Sequence, residues 1–96
     1  MKAANFTTED CRAAIDDFLP GFKHFGFKNR WKRFRKFTDF SGARVRWFSA
    51  FEDRSEFGEG YRATYVVVTE VAGGLEVRKA DAADIRDMEQ YFGHTI

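Results

Sequence analysis

Apolar residues recur with a helical period near the N-terminus. Cys11, Ala14, Ile15, Phe18 and Leu19 fall at i, i+3, i+4, i+7 and i+8, one stripe of an amphipathic helix. Thr7 is suited to cap it, with Asp10 three residues on completing a capping box. Phe6 and Cys11 flank the cap as a hydrophobic staple, and Pro20-Gly21 ends the element. The pattern predicts a helix over 8–19. A second helical stripe, Ala82, Ile85, Met88 and Phe92, follows the capping residue Asp81 and stops at Gly93, predicting a helix over 82–92.

Between the helices the period shortens to two. Residues 43–51 alternate, with Val45, Trp47, Ser49 and Phe51 on one side and Arg44, Arg46, Phe48 and Ala50 on the other. Residues 61–71 carry Tyr61, Tyr65, Val66, Val67, Val68 and Val71, and Gly73-Gly74 returns the chain into a short strand over 75–79. Residues 30–38 combine strand-favouring aromatics with a three-residue spacing of Trp31, Phe34 and Phe37 that also suits a helix. The turn at Asp39-Phe40-Ser41-Gly42 makes them the first arm of a hairpin. Phe25-Gly26-Phe27 reads as a turn in the 22–29 connector, and residues 52–60 read as a polar loop. The expected architecture is one α+β domain over 1–96: an N-terminal helix, a four-stranded antiparallel sheet and a C-terminal helix, with both helices on one sheet face.

Pairing 37 with 45, 35 with 47, 34 with 48 and 31 with 51, then 47 with 65, sorts the side chains. Trp31, Phe37, Val45, Trp47, Phe51, Tyr61, Tyr65 and Val67 collect on one face, expected beneath the helices. Lys32, Phe34, Lys36, Arg44, Arg46, Phe48 and Arg62 collect on the other. Burying that second face would carry four cations of the hairpin toward low dielectric, so it is expected to be exposed. The expected core comprises Ile15, Phe18, Leu19, Trp47, Tyr65, Val67, Ile85, Met88 and Phe92.

Charge sharpens this picture. The formal net charge is only +1, yet residues 22–51 hold nine of the sixteen Lys/Arg and ten of the seventeen aromatic residues, with Asp39 the single acid. The flanking segments are acidic. Cations interleaved with rings suit a partner that carries anions and flat groups, because phosphates take the charges and bases stack on the rings. A solvated charged face is the plainer reading of the same pattern.

Other chemistries find no support. Cys11 lies on an apolar stripe, a core thiol and not a nucleophile. His24 and His94 are too far apart in sequence to form a metal spacing, and the acids of 52–59 lack the alternation of a calcium loop. No cofactor, metal site or catalytic constellation is implied, and the chain is expected not to be an enzyme. A single cysteine excludes an internal disulfide, and neither a secretory signal nor a membrane-length apolar run is present, so a cytoplasmic location is expected. The leading expectation is a binding module for RNA or DNA using Lys32, Phe34, Lys36, Arg44, Arg46, Phe48 and Arg62. The alternative is a protein-interaction module, an inhibitor or adaptor, using the same face against an acidic protein surface. Self-association into a homodimer is a third reading.

Overall fold

The computed structural model describes residues 6–19, 31–53, 58 and 61–96. The expected turn at Phe25-Gly26-Phe27, most of the 52–60 loop and the side chains of Tyr61 and Arg62 lie outside the described residues. The order is α1 (Thr8–Phe18), β1 (Lys32–Thr38), β2 (Arg44–Asp53), β3 (Tyr61–Val71), β4 (Gly74–Lys79) and α2 (Ala82–Phe92). The strands form one antiparallel meander in the order β1-β2-β3-β4, so the expected αββββα arrangement holds.

Both helices begin with reciprocal capping. Thr7 Oγ1 accepts from the Asp10 amide at 3.1 Å while Asp10 Oδ2 accepts from the Thr7 amide. Asp81 and Asp84 repeat the arrangement at 2.9 Å in each direction. Each box satisfies two amides that the helix leaves without partners. Gly93 ends α2 in the left-handed conformation at φ +81°. In the β1–β2 turn the Asp39 carboxylate accepts from the amides of Ser41 and Ala43 at 2.9 and 3.0 Å, and Gly42 supplies the positive φ.

The helices pack on opposite faces of the sheet, not on the same one. Cys11 and Ile15 of α1 are fully buried, in a cluster with Phe6, Trp31, Phe48, Ala50, Val66 and Val68. On the other face Met88 of α2 joins Val45, Trp47 and Val67, with Phe34, Phe37, Tyr65 and Ile85 packed around them. The physical reason lies in the two central strands. Residues 45–50 of β2 and 66–68 of β3 are buried on both parities, as strands with apolar side chains on both faces must be. Each fully buried Phe or Val there contributes about 1.5–3 kcal/mol, too much for one face to be left in water.

A bulge in β1 accounts for the altered facing of Trp31 and Phe34. The pairs Phe37–Val45 and Arg35–Trp47 form as expected, but the register then slips and Arg33, not Phe34, lies opposite Phe48. One extra residue reverses the facing of everything beyond it. Trp31 therefore joins the α1 cluster, and Phe34 turns toward Trp47. The β2–β3 register is two residues from expectation, with Trp47 opposite Val67, which leaves the faces unchanged. Phe18 and Phe92, expected in the core, are 46% and 36% exposed. They are the last residues of their helices.

Candidate functional site

The residues expected to form one exposed basic face are divided by this packing. Phe48 has no exposed surface and sits at the centre of the α1 cluster. Phe34 is half-buried, stacked on Phe92 with ring centroids 5.1 Å apart and edge-on to Tyr65 at 6.0 Å. Arg44 is neutralised by a two-point hydrogen-bonded pair with Glu70, at 2.7 and 2.5 Å. That pairing draws the Glu70 carboxyl below its ordinary pKa.

Arg46 is only 9% exposed. Its guanidinium lies 4.1 Å from the centroid of the Phe6 ring, with the Val45 and Phe6 carbonyls at 3.5 Å as acceptors. Burial lowers its pKa. Neither arginine is placed to hold a ligand in the way the alternation suggests. Lys32 and Lys36 are exposed on β1, as expected.

Two cations that the alternation assigned to the packed face complete a group with these lysines. Arg33 is exposed, donating from Nη1 to Thr8 Oγ1 at 3.2 Å. Arg35 lies over three rings, its guanidinium carbon 4.3 Å from the Phe37 centroid and 4.8 Å from those of Trp47 and Tyr91. Such cation–π contacts hold a long side chain in place without cancelling its charge. Among the described residues, no carboxylate lies within ion-pairing distance of Lys32, Arg33, Arg35 or Lys36. The four sit on an edge strand whose outer side pairs with no other strand among the described residues. Charges there also oppose the addition of a foreign strand.

Beside the bulge, Arg33, Phe34, Arg35, Lys36 and Tyr91 line an open depression of about 350 Å³. Tyr91 comes from the last turn of α2, and its hydroxyl donates to the Phe34 carbonyl at 3.4 Å. Sequence reasoning overlooked it because it lies beside the apolar stripe of α2, with no basic neighbour in the chain. Its role depends on α2 crossing the sheet face beside β1. Arg33 and Arg35 were legible as part of the basic run, but their facing depends on the bulge.

No group of three or more His, Cys, Asp or Glu side chains among the described residues is arranged to hold a metal ion. No helix among them is long and apolar enough to cross a membrane. The fold and site define a small α+β domain with a basic edge strand. No protein-family model, curated protein or solved structure matches the chain.

Proposed function

We propose that this protein is a non-catalytic binding module that holds nucleic acid along the outer edge of β1, with Lys32, Arg33, Arg35 and Lys36 taking the phosphates. The observation that supports this reading is the set of four cations within five consecutive positions, none paired to a carboxylate among the described residues. At about 3.3 Å per residue they extend over roughly 13 Å of strand. One strand of a duplex presents a phosphate about every 3.4 Å along its axis, so the charge densities are comparable. The basic run continues in sequence through Lys23, Lys28 and Arg30. Electrostatic attraction thus outweighs the stacking on Phe34 and Phe48 that the sequence pattern suggested, since one ring is half-buried and the other wholly so.

The test is the salt dependence of oligonucleotide binding. Lys36→Ala and Lys32→Ala should each make the log–log slope shallower by about 0.7–0.9, the change expected when one phosphate is no longer neutralised. Arg44→Ala should leave the slope unchanged, because Glu70 already occupies that guanidinium. Absence of binding to any oligonucleotide at low salt would reject the proposal and favour an acidic protein surface as the partner.

A further inference from the structure

The depression beside the bulge differs from the rest of the basic edge because it contains an aromatic ring that is both held and accessible. Tyr91 is 50% exposed. Its tilt is set by the hydroxyl's bond to the Phe34 carbonyl and by edge-on packing against Trp47 at 6.0 Å. The Arg35 guanidinium lies against the same ring. The bulge brings cations from both sides of the strand to this point: Arg33 and Lys36 from the α1 side, Arg35 from the α2 side. The volume, about 350 Å³, is at the small end of ligand sites and has room for one nucleotide.

A duplex keeps its bases inside its own stack, where a ring at the edge of a protein cannot reach them. A single strand can turn one base outward onto such a ring. We infer that the depression seats one unstacked nucleotide of a single strand, its base on Tyr91 and its flanking phosphates on Arg33 and Lys36. This rests on the nucleic-acid reading and narrows it to single-stranded ligands. Tyr91 supplies a surface that any base can use, so the preference is for strandedness and not for sequence.

The experiment compares an oligothymidylate of about 12 nucleotides, within the site sizes of single-strand binders, with a duplex of equal length by fluorescence anisotropy. The wild-type chain should favour the single strand. Tyr91→Leu should weaken that binding by about 5- to 150-fold, as expected for removal of one stacked base, with the salt slope and duplex affinity unchanged. Tyr91→Phe should keep most of the affinity. Weakening on both ligands alike, or on neither, overturns the inference. Should Tyr91→Leu alter the circular dichroism spectrum, photo-crosslinking of the wild-type chain to a 5-iodouracil oligonucleotide decides the question. A crosslink at Tyr91 supports the seat, and crosslinks only elsewhere overturn it. Wild-type protein that binds neither ligand removes the nucleic-acid reading itself, whereas equal binding of both with Tyr91 indifferent removes only this inference.

Discussion

Lys36 lies directly opposite Arg46 across the β1–β2 ladder, one cation in water and the other beneath the ring of Phe6. Like charges placed opposite each other oppose strand pairing, and here the buried partner's Nε has no hydrogen-bond acceptor among the described residues. The arrangement predicts that Lys36→Glu stabilises the fold by about 0.2–1 kcal/mol while weakening nucleic-acid binding. Arg46→Met, which keeps the stem and removes the desolvated charge, should be neutral or stabilising by up to about 2 kcal/mol. Urea denaturation measures both. A destabilised Lys36→Glu variant would show that the cross-strand pair is not repulsive.

Truncation of the two phenylalanines whose expected positions were reversed should separate them clearly. Phe48→Ala empties the centre of the α1 cluster and should cost about 3–5 kcal/mol. Phe18→Ala removes a ring that is almost half exposed and should cost about 1 kcal/mol or less. Chemical denaturation of the two variants under one buffer checks the ordering. Equal destabilisation would place Phe18 in the core as well.

Stability should fall in acid. Among the described residues, three carboxyls have folded pKa values below their ordinary ones. Asp39 accepts from the Ser41 hydroxyl and from turn amides, and Glu70 accepts from Arg44. Asp84 is pushed up by burial but drawn further down by its hydrogen bonds from Arg78 and the Asp81 amide. A lowered folded pKa contributes stability that is fully present above the unfolded value, near pH 4, and is lost as pH falls through the folded one. The urea midpoint should therefore hold steady, as far as these groups govern it, down to about pH 5 and decline below about pH 4. Arg44→Ala should remove the share of that decline that belongs to Glu70. An unchanged decline in that variant would mean that the Arg44–Glu70 pair contributes nothing to folding.

Much of the secondary structure was legible because its signals are local. Thr7 with Asp10 and Asp81 with Asp84 mark two helix starts, and each box forms from residues three apart in the chain. The β1–β2 turn was equally clear, since the Asp39 carboxylate closes it on amides two and four residues ahead. From that turn outward the pairs Phe37–Val45 and Arg35–Trp47 followed by counting. Counting failed at Phe34. No glycine or proline marks the bulge in Lys32-Arg33-Phe34-Arg35-Lys36, and its position is understood only when the aromatic group of Trp47, Tyr65 and Phe92 is in view.

The candidate site was legible as a composition and not as a surface. A run dense in Lys and Arg with one acid identifies where positive charge concentrates, whatever the fold. Which of those charges remains available depends on partners distant in the chain: Glu70 takes Arg44, Phe6 covers Arg46, and Tyr91 arrives beside Arg35 from the last helix. The sequence by itself determined the elements, their order and the basic segment, because caps, turns and side-chain period act over a few residues. Only the tertiary structure decided which face each side chain meets. One inserted residue in β1 and the placement of helices on both sides of the sheet are compromises among interactions between residues far apart along the chain.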